Sequence, residues 1–227
     1  MSRPICAAAA AVAIALLLAG CAVPGRMAEP AGMGPTEARE AIVRLLPAGT
    51  DDRAGWAADI HAALSTLELP STPANLCAVL AVTEQESGFR ADPAVPGLGA
   101  IARKEIERRA DEAGVPRLAL RAALALNSPD GRSYAERIDA VKTERQLSEI
   151  FENFIGMVPL GKTFFESRNP VRTGGPMQVS IAFAEAQAKA RPYPYPVRES
   201  IRREVFTRRG GLYFGAAHLL AYDAPYD

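Results

Sequence analysis

Ser71-Thr72-Pro73-Ala74-Asn75-Leu76-Cys77-Ala78-Val79-Leu80-Ala81-Val82-Thr83-Glu84-Gln85-Glu86-Ser87-Gly88 is the stretch on which the reading of this chain turns. A hydroxyl followed by proline opens a helix. The side-chain oxygen can accept from the free N–H groups of the first turn, and proline at the first helical position gives up only an N–H that has no intrahelical partner. Leu76 to Val82 leave no polar face, so the pattern predicts a helix running through the interior, with Cys77 as a small buried hydrophobe. Gly88 is placed to end it in a left-handed conformation. Glu86 falls about 20° from Val79 on the helical wheel, so its carboxylate is expected to emerge from the apolar face at the helix end. Partial desolvation there would raise its pKa, the condition for a carboxylic acid that donates a proton near neutral pH. Glu84 points away and reads as structural or as rim.

Outward from this helix the pattern stays helical. Upstream, Thr36 is placed to cap a helix that carries Ile42, Leu45 and Leu46 on one face and stops at Pro47; Trp56, Ile60, Ala63, Leu64 and Leu67 form the next face. Downstream come Ile101 to Ala113 with Gly114 behind it, Leu118 to Leu126, and a Ser128-Pro129-Asp130-Gly131 turn. Ser133…Glu136 and Thr143…Gln146 fit the capping box, and a further helix follows Ser180. Pro192-Tyr193-Pro194-Tyr195-Pro196 must be an extended loop, because alternating proline forbids helix and central strand alike. Val197 to Arg208 and Leu212 to Tyr222 are the last amphipathic runs. With no alternating strand pattern and no internal repeat, the fold class is read as mainly α.

The N-terminus has the layout of a cleaved secretion signal: Arg3, the apolar run Ile5 to Leu18, then small Ala19 and Gly20 before Cys21. That run is shorter than the about 20 residues a spanning helix needs. Leu18-Ala19-Gly20-Cys21 resembles the bacterial lipobox, which implies lipidation of Cys21 and a membrane-anchored mature chain. Ala22, in place of Asp, implies sorting to the periplasmic face of the outer membrane. The expected organisation is a signal peptide at 1–20, a flexible Gly- and Pro-punctuated tether at 21–35, and a single domain at 36–227.

Composition excludes several function classes. Cys6 leaves with the signal and Cys21 carries lipid, so only Cys77 remains and no intramolecular disulfide is expected. Lys plus Arg equals Asp plus Glu at 26 each, which leaves no bulk electrostatic case for nucleic acid. His61 and His218 with one free cysteine make no zinc motif, and no metal or other cofactor is expected. The basic run Arg198, Arg202, Arg203, Arg208 and Arg209, interrupted by Glu199 and Glu204, reads as a solvated helix face.

Glu86-Ser87-Gly88-Phe89, followed by Asp92-Pro93, resembles the first signature of lytic transglycosylases and goose-type lysozymes, in which a Glu-Ser pair ends a buried helix. Gly175-Pro176-Met177-Gln178-Val179 resembles their second signature, which forms part of the glycan cleft. Leu212, Gly215, Leu219 and Leu220 resemble the helix packed behind that site, with His218 where a Tyr is usual. The stretch from about Gly49 to Ser180 is also similar to an uncharacterised family of proteobacterial lipoproteins built on a domain of unknown function.

The signatures imply a lysozyme-like helical domain acting on peptidoglycan glycan strands. Glu86 would be the single catalytic acid at the bond between N-acetylmuramic acid and N-acetylglucosamine, then take the proton of the muramyl C6 hydroxyl to give a 1,6-anhydro product. Ser87, Met177 and Gln178 would line the substrate site. Tyr193 and Tyr195 are candidates for stacking on sugar rings, although a Pro-Tyr loop packed on its own domain is the commoner arrangement. No second carboxylate motif is evident, which suits transglycosylation better than two-carboxylate hydrolysis by a muramidase.

Two departures from the family pattern are plain. About 90 residues separate Glu86 from Gln178, so a helical insertion is expected at about 97–170. A Tyr-Asn-Ala-Gly signature is missing, and Ala221 to Asp227 runs straight off an apolar helix as an incomplete gene product would. Both favour the alternative reading, a non-catalytic envelope lipoprotein that binds peptidoglycan or an envelope protein. Oligomeric state is left open.

Overall fold

The computed structural model describes residues 32–191 and 193–221, and the folded unit runs from Gly32. The expected signal peptide, Cys21, most of the expected tether and the end of the chain lie outside the described residues. The last tether positions are not loose as expected: the Met33 N–H donates to the Ser71 carbonyl at 3.0 Å, and Met33 packs against the main core.

Helix α1 spans Pro35–Leu45, α2 Arg53–Thr66 and α3 Pro73–Ser87. The expected cap at Thr36 is corrected: Pro35 is already helical and Gly34 precedes it with no side-chain cap. Proline at the first helical position supplies the stop on the preceding chain instead. The α1 C-terminus is closed from a distance, by the Arg53 guanidinium donating to the carbonyls of Val43 and Leu46. Asp52 caps α2 by accepting from Gly55 N–H, and Trp56, Ile60, Ala63, Leu64 and Leu67 are all buried as their spacing predicts. Leu45, expected on the same face as Ile42 and Leu46, is exposed.

After α3 come α4 (Leu98–Glu112), α5 (Arg117–Leu124), α6 (Tyr134–Ala140), α7 (Glu144–Gly156) and the short α8 (Gly161–Phe165). Both capping boxes form: Ser133 and Glu136 satisfy each other's backbone N–H groups, and so do Thr143 and Gln146. The chain then makes a two-residue strand pair, β1 (Thr173–Gly174) against β2 (Val179–Ser180), antiparallel with Gly174 opposite Val179. No strand signal stands in the sequence because two residues are too few to alternate. Helices α9 (Ile181–Ala190), α10 (Ile201–Val205) and α11 (Arg208–Ala216) follow, and a π-helical turn covers Ala217–Ala221. Two longer runs expected over 197–208 and 212–222 are therefore broken differently, because Ser200 and Thr207 each cap a new helix through the N–H three residues on. No described helix is long and apolar enough to cross a membrane.

Two hydrophobic clusters divide the residues. The main one collects α1, α2 and α3 up to Phe89, then resumes at Val171 and takes in Met177, Val179, Ile181 and most of α11. The second is built from Leu98, Ala102, Leu124, Tyr134, Ile138, Val141 and Ile150. Leu147 of α7 packs against both.

The basic run at 198–209 is corrected by the same packing. Arg202 is buried and donates to the Val171 carbonyl, Arg203 pairs with Glu149 and Glu152 of α7, and Arg208 bridges Asp52 and Asp59. These side chains pin elements to one another across partly buried gaps, so they are not a solvated face.

The β1–β2 hairpin approaches α11 closely. A Cβ on Gly211 would meet Pro176 Cδ at 2.3 Å and the Val205 carbonyl oxygen at 2.8 Å, whereas one on Gly49 would meet nothing within 4 Å. Gly211→Ala is expected to cost about 2–3 kcal/mol by overpacking, and Gly49→Ala to be neutral or to stabilise by about 0.5 kcal/mol. Urea denaturation of the two variants beside the parent chain checks the contrast.

Candidate functional site

Helix α3 carries the first motif. Thr83 Oγ1 donates to the Val79 carbonyl at 2.7 Å and Ser87 Oγ to the Thr83 carbonyl at 2.9 Å, so two hydroxyls lie on the buried face with their hydrogen bonds met inside the helix. Thr72 caps the start by accepting from Asn75 N–H, and Gly88 at φ 57° closes the end with its N–H on the Glu84 carbonyl.

The helix does not cross the interior as its composition suggested. Leu76, Val79, Leu80, Thr83 and Ser87 are buried, but Ala74, Cys77 and Ala81 are exposed on the opposite side. The correction has a simple cause: alanine and cysteine offer little apolar area, so leaving them in water costs little.

Glu86 is likewise exposed rather than desolvated, and it makes no hydrogen bond or ion pair among the described residues. Its carboxylate stands on the last helical turn, one residue before the buried Ser87. Phe89 follows in a left-handed conformation, φ 58°, which an aromatic residue adopts only when its surroundings hold it there. The holding contact is an edge-to-face packing on Trp56 at 5.4 Å inside the main core.

The second motif is the β1–β2 turn. Gln178 N–H donates to the Gly175 carbonyl at 3.2 Å, and Gln178 itself is left-handed at φ 49°. Met177 is 6% exposed and packs against Gly215 of α11. Gln178 points elsewhere: its Nε2 donates to Glu144 Oε2 at 3.0 Å, and its Oε1 accepts from Thr173 Oγ1 at 3.1 Å.

Sequence reasoning missed what joins the two motifs, the first turn of α7. Asp92, six residues after Glu86, accepts from Thr143 Oγ1 at 3.0 Å and from Arg145 Nε at 2.8 Å. Between those residues, Glu144 reaches Gln178. Three consecutive residues thus hold one end of each motif. The Thr143…Gln146 capping box locates this helix start in the sequence, but an acidic residue in a first helical turn is ordinary and gave no reason to single out Glu144.

The sequence across both motifs identifies the family. The pattern described as "Protein of unknown function (DUF1615)" matches residues 49–227, which span both motifs and everything between. The chain belongs to this family. It is 47% identical over 212 residues to an Escherichia coli (strain K12) protein described as "Uncharacterized protein YaiW", an alignment covering 93% of this chain and 58% of the relative. The chain therefore spans somewhat over half the length of that relative. No solved structure matches.

The remaining candidate residues of this DUF1615 chain are placed as follows. Tyr193 stacks on Phe214 at 5.0 Å, and its hydroxyl donates to the buried Glu204 carboxylate at 2.9 Å; burial, and then that acceptor, push its ionisation well above the ordinary tyrosine range. Tyr195 packs edge-on to Tyr193, with the Arg209 guanidinium 5.0 Å above its ring. Tyr193 also lines a cleft of about 460 Å³ with Glu185, Lys189, Val197 and Ile201. His218 stacks on Phe183 at 4.6 Å. Among the described residues no group of three or more His, Cys, Asp or Glu side chains is placed to hold a metal ion.

Glu144 is a carboxyl of this site that its surroundings perturb. Burial pushes its carboxyl above the reference of 4.5 and the nearby Asp92 charge adds to this, while the Gln178 hydrogen bond opposes it. A folded-state pKa above the unfolded one means that protonation favours the folded chain. That stabilisation is complete below the unfolded value of 4.5 and is lost as pH rises through the raised folded value. Glu144→Gln keeps an oxygen to accept from Gln178, so it is expected to raise the melting temperature at pH 7 with a gain that shrinks toward zero at pH 4. Thermal melts by circular dichroism across this range test it; a gain equal at both ends contradicts the assignment.

Proposed function

We propose that this chain is a lipid-anchored peptidoglycan lytic transglycosylase of lysozyme-like fold, with Glu86 as the acid that protonates the glycosidic oxygen and Cys21 as the lipidated anchor on the periplasmic face of the outer membrane. The observation that carries the reading is the convergence of the two motifs. Phe89 and Val179, about 90 residues apart in the chain, pack in one hydrophobic cluster. Asp92 and Gln178, close to them in sequence, are tied to consecutive residues at the start of α7.

The unpartnered Glu86 at the end of a capped helix has the freedom a proton donor needs, and the small hairpin presents Gln178 beside a second carboxylate. Each motif also holds one of the five non-glycine residues with positive φ among the described residues, Phe89 and Gln178. Strain of this kind concentrates where a chain positions functional groups. Ser87, turned inward onto Thr83, would act by fixing the helix end under Glu86.

One observation favours a second reading. Glu86 is exposed on the last turn of α3, with no buried pocket formed around it among the described residues, which suits a non-catalytic lipoprotein that binds the wall through the same face.

Purified protein incubated with sacculi is expected to release 1,6-anhydro-muropeptides, and Glu86→Gln to reduce release by about 10²-fold or more, the range for loss of a general acid. Release unaffected by Glu86→Gln defeats the assignment. Reducing-end products identify a muramidase instead, and co-sedimentation with sacculi without any product supports the binding protein.

A further inference from the structure

Exposed apolar side chains gather in one place. Met157, Val158, Leu160, Phe164 and Phe165 all stand open to solvent within nine residues, with Leu160 at 68% and Phe164 at 65%. Every residue from 156 to 168 except Gly161 is exposed, whereas Ile155 before the stretch and Asn169 after it are buried. The chain thus leaves the body of the domain at the end of α7 and projects through α8. It rejoins the domain after a single 3₁₀ turn over Glu166–Arg168. Apolar groups scattered singly over a surface need no explanation, but a contiguous apolar projection marks a place where something other than water is met.

The projection is a fixed structure. Gly161 is buried against the Ile155 carbonyl, with no room there for a Cβ. The N–H of Val158 donates to the Ile155 carbonyl at 3.2 Å, that of Gly161 to Val158 at 2.8 Å and that of Phe164 to Leu160 at 3.2 Å, while Pro159 has no N–H to satisfy. Much of the backbone polarity is therefore met inside the turn, as contact with an apolar medium requires. Leu160 is also left-handed, at φ 58°. Asp52, Phe89 and Gln178 share that conformation, and in each the side chain makes a hydrogen bond or ring contact that holds it. Leu160 instead carries its side chain out into water, so a strained residue presents an apolar group outward.

The charges of the projection suit a lipid surface. Lys162 and Arg168 outnumber its single carboxylate, Glu166. The Arg168 guanidinium lies 5.5 Å over the Phe165 ring, an arrangement that keeps a cation among anionic headgroups while the ring lies below them. A convex apolar knob with a basic rim fits a soft bilayer, whereas a folded partner would need a matching groove. The membrane is also within reach. Ten residues separate Cys21 from Gly32, where the folded unit begins, so a lipid on Cys21 would hold the domain within about 40 Å of the bilayer.

We propose that the 157–165 projection docks on an anionic lipid surface, with Leu160 and Phe164 entering the acyl boundary and Lys162 and Arg168 meeting the phosphate headgroups. The choice of a membrane as occupant rests on the reading of Cys21 as a lipidated anchor. The projection then supplies a second contact, which sets the side of the domain that lies against the bilayer.

Depth-sensitive quenching on the full chain tests it, in vesicles of phosphatidylethanolamine and phosphatidylglycerol with and without brominated acyl chains. Trp56, the single tryptophan, is buried in the core and gives the baseline. A Phe164→Trp reporter is expected to lose about half or more of its emission to bromine, because interfacial apolar groups sit about 5–10 Å deep. Leu45→Trp, at an exposed leucine of α1, is expected to stay at the baseline. Leu160→Asn, which keeps a residue tolerant of the left-handed backbone, is expected to reduce the quenching of the Phe164→Trp reporter about two-fold. Omitting phosphatidylglycerol is expected to reduce it as well. A Phe164→Trp reporter quenched no more than Leu45→Trp in vesicle-bound chain overturns the proposal. So does self-association without lipid that Leu160→Asn abolishes, which assigns the face to a second copy. Intact mass of the same preparation reports lipid on Cys21 separately: an unmodified Cys21 with a quenched reporter defeats the anchor alone, and a lipidated Cys21 with an unquenched reporter defeats the docking alone.

Discussion

Helix α11 presents no side chain where the hairpin comes to rest on it. Gly211 lies under Pro176 and Gly215 under Met177, each at a separation that a single added carbon would close to less than 2.6 Å. The hairpin can therefore sink against the helix backbone, and Gly175, at φ 75° with the Val205 carbonyl on its other side, turns the chain in the space that remains. Everything local to the second motif follows. Met177 and Val179 enter the core, and Gln178, held left-handed between them, is turned toward Glu144. A bulkier residue at either glycine would lift the hairpin and break its tie to α7.

The helices between the two motifs are bound back onto this arrangement by polar contacts more than by shared core. Arg203 spans Glu149 and Glu152, Asn169, beyond α8, donates back to Ser148, and Arg145 and Thr143 converge on Asp92. Such pairs contribute modestly when exposed, but these are partly buried and share partners, so removing one member leaves another charge without compensation. The network fixes where α7 starts, and the start of α7 is what both motifs touch.

Much of the helical framework could be read from the chain. Thr72-Pro73, the two capping boxes, the Ser128 to Gly131 turn and the Trp56 to Leu67 face all stand where hydroxyl caps and apolar spacing put them. What could not be read depends on distant partners. Arg53 closing α1, or Arg202 reaching Val171, looks in sequence like any surface arginine. The exposed face of α3 escaped because alanine and cysteine suit interior and surface almost equally, so an apolar run does not reveal which side is covered. Of the site, Glu86 and Gln178 were visible as motif residues, whereas Glu144 became visible only once folding brought α7 against the hairpin.

The division into two hydrophobic clusters bears on how the chain finds its structure. The main core is interrupted between Phe89 and Val171, so an unfolded intervening segment of about 80 residues would have to be closed as one long loop before the halves could meet. The second cluster draws its residues from within that segment, and the pairing of Ala94 with Thr143 closes about its first fifty residues into a loop of their own. Once that cluster condenses, the effective gap contracts from about 80 residues to the stretch between Ile150 and Val171 plus a short flank after Phe89, and the long-range step of assembly becomes correspondingly shorter.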